Sequence, residues 1–254
     1  MYASKLKLSI IMPTKNAERY LDEALDSIEL QDYANYEVIV IDGYSTDQTK
    51  AIASQYKNLQ FYRATPNGEP DAINRGMSIA TGDVVAFLDS DDMYLPGCFK
   101  SVNANFQANY DKKWLYGKGK IIDKDGREAR SIITTAKNMV RYSYKALMCV
   151  DFICQPTVFM KREVWDECGN FDVRLPYSCE YDYWLRLGKK YEPCFVDRYL
   201  AAWRAHAGSI SVKGYLDQTV QAREIQRHYS GKSWLNPIQD VVYYGTRLLY
   251  KVMK

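Results

Sequence analysis

Several common signatures are missing from this 254-residue chain. No Gly-x-Gly-x-x-Gly follows the first apolar run, which argues against a dinucleotide site, and the lack of Gly-x-x-x-x-Gly-Lys argues against a P-loop. Excess charge is scarce: 34 basic against 31 acidic residues leave +3, too little to call for a nucleic-acid partner. There are only two histidines, and none of Cys98, Cys149, Cys154, Cys168, Cys179 and Cys194 forms a Cys-x-x-Cys pair, so zinc spacing is absent. With no signal peptide at the amino end, the cysteines read as reduced thiols of a cytoplasmic protein. No run reaches the ~18–20 apolar residues of a spanning helix.

What is present is ordinary in bulk, with 47% apolar and 26% charged residues, and unusual in its 22 tyrosines. Such rings suit ligand stacking or an interface, and equally a large core. The most informative stretch is Gly82 to Pro96, GDVVAFLDSDDMYLP. Its apolar run Val84–Leu88 reads as a buried strand that ends in Asp89, Asp91 and Asp92. Adjacent carboxylates repel and are costly to bury unpaired, so a divalent cation is expected beside them, at the sheet edge where α/β proteins bind ligands. The alternative is a solvated acidic turn that starts a helix. The position directly after a buried strand favours the site.

The same order recurs upstream. Leu8–Met12 is a strand closed by Pro13. Asn16 caps a helix whose Leu21, Ala24, Leu25 and Ile28 share one face. Val38–Ile41 is a second buried strand ending in Asp42, and a helix at roughly 47–56 and a strand at Leu59–Tyr62 follow. DAINRGMSIATG is a helix closed by Gly82. Alternating strands and helices over the first ~90 residues imply an α/β fold with a parallel sheet covered on both faces.

The second half is less regular. A strand is expected at Trp114–Asp123, turning through DKDG into Arg127–Ile133, then a helix at Asn138–Met148. QPTVFM (Gln155–Met160) reads as a strand, Glu163–Cys168 as a helix stopped by Gly169, Glu180–Lys189 as a helix, and Cys194–Trp203 as a strand. The organisation expected is one domain over 1–232 and a basic amphipathic helix over 233–254, with Ile238, Val241, Val242, Gly245, Leu248, Leu249 and Val252 beside Arg247, Lys251 and Lys254. That helix suits an anionic membrane surface, its own domain, or a second subunit in a homo-oligomer.

SIIMPTKNAERYLDEALDSI, EVIVIDGYSTDQT, DAINRGMSIATGDVVAFLDSDD, QPTVFMKREVWDECGNFD, CEYDYWLRL and RAHAGSIS, in this order over roughly residues 6–211, resemble the family 2 glycosyltransferases of GT-A fold. The resemblance implies a Rossmann-like, mostly parallel mixed sheet flanked by helices. It also implies transfer of a sugar, with inversion, from a nucleotide diphosphate donor to an acceptor hydroxyl. UDP is expected before GDP or dTDP, and a lipid-linked glycan of surface polysaccharide synthesis is the expected acceptor. Mn²⁺ or Mg²⁺ would bridge the phosphates.

Residue by residue, the resemblance places Asp89 on the ribose and Asp91 on the metal, with Asp92 as a helper or a helix cap. Asp42 would bond the base, Pro13 and Thr14 would line its pocket, and Asp71 and Arg75 would touch sugar or phosphate, unless they form a solvated helix face. The family often carries Glu-Asp before Tyr and Trp-Leu-Arg-Leu, and here Cys179 stands in the first of those places. Glu180 is therefore the expected general base and Asp182 its reserve; about 200° apart on a helix, only one can face the site. His206 would join the metal or the diphosphate and Arg204 a phosphate; Trp184 and Trp203 would stack on a sugar or pack in the core. Two rival readings are a nucleotidyltransferase, which would want an early Gly/Lys-rich phosphate loop, and a non-catalytic nucleotide-sugar-binding assembly partner.

Overall fold

A computed structural model describes residues 5–129 and 132–252. The amino-terminal half alternates as its pattern demands: β1 (Leu8–Thr14), α1 (Leu21–Glu29), β2 (Tyr36–Asp42), α2 (Thr49–Ala53), β3 (Leu59–Arg63), α3 (Glu69–Ile79) and β4 (Val84–Phe87). β2 and β4 flank β1 and β3 lies beyond β2, all in parallel. Along β1 and β2 side chains alternate between two cores. Leu8, Ile10, Met12, Val38 and Val40 pack against α1 and α4 (Cys98–Ala108). Ile11, Ile39 and Ile41 face α3 and α8 (Cys179–Lys190). Each such side chain contributes roughly 1.5–3 kcal/mol by leaving water.

Beyond β4 the sheet becomes mixed. β5 (Met93–Tyr94), β6 (Trp114–Ile122), β7 (Phe159–Lys161) and β8 (Cys194–Arg204) complete eight strands in the order β3-β2-β1-β4-β7-β6-β8-β5. β7 runs antiparallel to both β4 and β6, β8 is parallel to β6, and β5 is antiparallel to β8. The mixed, mostly parallel sheet flanked by helices is the architecture expected. The remaining helices are α5 (Ile132–Met139), α6 (Tyr144–Leu147), α7 (Arg162–Cys168), α9 (Ile210–Lys213), α10 (Tyr215–Ser230) and α11 (Asn236–Val252). None of the described helices is long and apolar enough to cross a membrane.

Several local expectations are corrected. β1 runs through Pro13 to Thr14, beyond Ile11, the last residue paired with β4, so no ladder bond is lost there. Asn16 caps no helix: it has φ +49 and its side chain accepts from the Thr46 N–H at 3.0 Å, joining two loops. α3 ends at Ile79 rather than at Gly82. Gly82 is where the backbone passes β1 so closely that a Cβ would lie 2.7 Å from the Lys7 carbonyl oxygen. The strand expected over 127–133 is reduced to a single bridge between Ile122 and Glu128, and from Ile132 the chain is helical. Residues 130–131 lie outside the described range. The helix expected over 138–148 is split into α5 and α6. QPTVFM begins as a 3₁₀ turn, Gln155–Thr157, before β7. Helices α4 and α10 were not foreseen.

Candidate active site

β1, β2 and β4 end side by side. Thr14 pairs with Asp42, and the Leu88 N–H donates to the Ile11 carbonyl at 2.9 Å, so the chain leaves β4 next to β1. It then turns through Asp89, Ser90 and Asp91 to Asp92, whose N–H donates to the Asp89 carbonyl at 3.0 Å. β5 follows at once and pairs with Ala201 and Ala202 of β8. The carboxyl end of β8 therefore arrives beside the acids, and His206 Nε2 sits 2.8 Å from Asp91 Oδ2 across 115 residues of sequence.

Arg204 is the clamp that makes this junction. It is completely buried, and its backbone N–H donates to Asp92 Oδ1 at 2.8 Å. Its guanidinium donates to the Asp91 carbonyl at 2.9 Å and to Glu23 Oε2 at 2.7 Å, and lies 4.5 Å from the Tyr20 ring centroid. The phosphate contact expected of Arg204 is thereby corrected: the side chain is fully buried and its donors are spent holding the acidic turn to α1. Trp184 is likewise core, fully buried and stacked at 6.1 Å on Trp114 and 6.5 Å on Phe87.

The acids are poorly compensated. Asp89 Oδ1 and Asp92 Oδ2 are buried without a hydrogen-bond partner. Burial first, then the charges of Asp91 and Glu180, push the Asp89 carboxyl up to about 8. Burial and the charges of Asp91 and Asp89 hold Asp92 well above the carboxylate range. Glu69, at the first position of α3, is raised in the same way by burial and by Asp89, Glu180, Asp91 and Asp92. Such like-charge crowding in a cleft is what a bound cation relieves.

Glu180 lies in the first turn of α8. Burial, helped by Asp151, brings its carboxyl up to about 6 against a backbone hydrogen bond, the Cys179 thiol and Lys137. Cys179, in the place where an acid was expected, is buried in the core beneath it. Asp182 faces elsewhere: it accepts from Arg186 Nε at 2.9 Å and from the Tyr229 hydroxyl at 2.8 Å. Of the two acids, the fold brings only Glu180 to the cluster.

The other expected residues divide. Pro13 and Thr14 are buried at the end of β1. Asp42 is fully buried, with its oxygens engaged by the Ser45 hydroxyl, by the Ser45 N–H at 3.0 Å and by Arg63 Nε at 3.4 Å. Asp71 and Arg75 bond each other at 3.1 Å on the outer face of α3, and the Asn67 N–H also donates to Asp71. His206 Nδ1 accepts from the Gly208 N–H at 3.0 Å, which places the ring proton on Nε2, facing Asp91. In this arrangement His206 is a donor to Asp91.

Three residues at the site carried no readable signal. Glu69 looks like any acid in a first helical turn, although Gly68 before it, at φ +83, marks a sharp entry. Asp151 lies in a loop, with Oδ1 buried and unpartnered. Lys137 acts on Asp151 and Glu180 from α5, between the strand expected to end at Ile133 and the helix expected to begin at Asn138. Among the described residues no three His, Cys, Asp or Glu side chains are grouped so as to hold a metal ion unaided. The donor set, a carboxylate with uncompensated acids around it, fits a cation whose remaining oxygens come from a phosphorylated ligand.

Comparison with known proteins identifies the family and the fold. A model of glycosyl transferase family 2 matches residues 9–168. A PGL/p-HBAD biosynthesis glycosyltransferase of Mycobacterium tuberculosis is 30% identical over 198 residues, covering 76% of this chain and 73% of that protein. An uncharacterized glycosyltransferase of Rickettsia bellii is also 30% identical, over 71% of this chain, and the chain spans only 27% of its length. Among solved structures, S. aureus TarS 1-349 in complex with UDP-GlcNAc superposes with a TM-score of 0.67 at 22% identity, covering 93% of this chain and 70% of that one. The mannosyltransferase PcManGT of Pyrobaculum calidifontis, in complex with GDP-Man and Mn²⁺, gives 0.66 at 18% identity, covering 95% and 70%. Likeness to these two structures is likeness of fold.

Proposed function

The chain belongs to glycosyl transferase family 2, and from that premise we propose that it is an inverting, metal-assisted transferase. It would move a hexosyl or N-acetylhexosaminyl unit from a UDP-linked donor to a hydroxyl of a glycan or lipid-linked acceptor. The observation that carries this reading is the uncompensated cluster of Asp89, Asp91 and Asp92 at the strand ends, with Glu180 raised to about 6 beside it. TarS was solved with UDP-GlcNAc and PcManGT with GDP-Man and Mn²⁺, which supports a nucleotide-sugar donor.

Asp91 would hold a Mn²⁺ or Mg²⁺ ion, which when bound offsets the negative charge gathering on the departing diphosphate. His206, donating from Nε2, holds the Asp91 carboxylate in place; direct ligation would require it to give up the Gly208 bond. The unpartnered Oδ1 of Asp89 is assigned to a ribose hydroxyl. The base is assigned to the wall formed by Pro13, Thr14 and the Arg63 that Asp42 holds. Glu69, rather than Asp71 or Arg75, faces the donor sugar.

In the transfer itself the acceptor oxygen attacks the anomeric carbon from the face opposite the diphosphate. The new carbon–oxygen bond forms as the bond to the phosphate oxygen breaks, and the hydroxyl proton passes to Glu180. A group near 6 is ionised at neutral pH yet basic enough to take that proton.

The test is a screen of nucleotide sugars for transfer or slow hydrolysis with Mn²⁺ present, run on the wild type and on Glu180→Gln. The variant should bind donor with unchanged affinity and lose ~10²–10⁴-fold in turnover. Full turnover by Glu180→Gln would remove Glu180 from the role. Donor binding without turnover in the wild type would favour the assembly-partner reading.

A further inference from the structure

Helix α11 is built with its polarity reversed. The face it turns toward the domain is largely polar. Gln239 is fully buried and donates from Nε2 to the Met148 carbonyl at 3.0 Å and to the Ser230 hydroxyl at 3.1 Å. Asp240 pairs with Arg223 at 2.6 Å and Arg227 at 2.7 Å, both on α10. The Arg223 and Arg247 guanidinium groups lie 4.7 and 5.2 Å from the Tyr243 ring centroid. Leu235 is the buried apolar residue of this face.

The opposite face is apolar and open. Val241 is 73% exposed and Leu248 64%, with Ile238 in line with them and Trp234, 69% exposed, just before the first turn. Between Lys232 and Lys251 the only charged residues are Asp240 and Arg247, and both point inward. The uncharged stripe from Ile238 to Leu248 runs about 15 Å at the rise of an α-helix. A helix of a soluble domain normally buries its apolar side, so this one is turned toward a second apolar phase.

Charge decides which phase. Residues 232–254 hold four basic residues (Lys232, Arg247, Lys251 and Lys254) against one acid, Asp240. Their balance of +3 is the whole formal charge of the chain, so the other residues are neutral in sum. A second copy docking through the same face would set this positive charge against itself. An anionic lipid surface would complement it. We infer that α11 lies flat on an anionic membrane, with Trp234, Ile238, Val241 and Leu248 in the interfacial layer and its net positive charge complementing the headgroups. Tryptophan at the end of such a stripe is the side chain that settles at that depth.

The test is co-sedimentation of the full chain with vesicles of equimolar phosphatidylglycerol and phosphatidylcholine, and with phosphatidylcholine alone. It needs neither donor nor acceptor, so its outcome is independent of the transferase reading. The wild type should pellet with the anionic vesicles, less so as salt is raised, and remain in solution with the neutral ones. The double variant Val241→Asp, Leu248→Asp should partition on the order of a hundredfold more weakly, with an unchanged circular dichroism spectrum and melting point. Should that variant misfold, Trp234→Ala, outside the helix, must weaken pelleting in its place. Equal pelleting with both vesicle types, or none, overturns the inference. So does a dimer in light scattering that the double variant separates while the wild type fails to pellet.

Discussion

At the scale of single residues, Glu180 and Glu37 are carboxylates moved in opposite directions. Glu180 is raised to about 6, chiefly by burial. As the proposed base it must be ionised, so kcat/KM should be level above about 6 and fall as pH drops through it; in Glu180→Gln that limb should vanish. Glu37 is structural. Burial would raise it, but the Ser9 hydroxyl at 2.6 Å, the Thr81 N–H and hydroxyl at 2.8 Å and Lys7 at 3.0 Å bring it down to about 2. It ties β1, β2 and the entry to β4 at the end of the sheet opposite the acids. A depressed carboxyl stabilises above its ordinary range near 4.5, and that contribution is lost as pH falls toward 2. Glu37→Gln should cost roughly 2 kcal/mol in urea unfolding at pH 7, with the difference closing in acid.

At the scale of elements, the position of α3 decides whether Glu69 reaches the site. The helix sits close on β1 because Gly76 has no side chain: a Cβ there would lie 2.4 Å from Ile11 Cγ2. Gly76→Ala should cost about 1–3 kcal/mol and lower the melting point. Combining it with Ile11→Val should recover part of the loss, as a double-mutant cycle would show. Strands β1, β2 and β4 and helices α1 and α8 could be read because each carries a complete local pattern, either an apolar run or a face such as Leu21, Ala24, Leu25 and Ile28. β5 and β7, of two and three residues, are too short to hold a period. α4 and α10 lack a turn-by-turn signal strong enough to compete with their polar surroundings.

At the scale of the molecule, donor and cation should act as one ligand of the folded state. UDP with Mn²⁺ at about a hundredfold excess over Kd should raise the melting point by roughly 5–10 °C. Asp91→Asn should remove the Mn²⁺-dependent part of that shift while leaving the metal-free melting point no lower, since it relieves repulsion at Asp89 and Asp92. A metal-free chain that already melts as high as the loaded one would contradict the shared site.

Local chain chemistry sufficed for the alternation of the first half, the burial of β1, β2 and β4, and the acids that close two of those strands. Apolar runs, turn residues and strand ends are local properties of the chain. It also carried the family resemblance, and the match over residues 9–168 bears that out. Which acids meet depended on long-range packing. Pairing of β5 with β8 carries His206 to Asp91 and turns Arg204 into a clamp, contacts that span more than a hundred residues and leave no periodic trace. The choice of Glu180 over Asp182, the arrival of Glu69 and the outward turn of the apolar face of α11 follow from the same cause. Which side of a helix meets the protein is fixed by its neighbours, and a helix cannot name them.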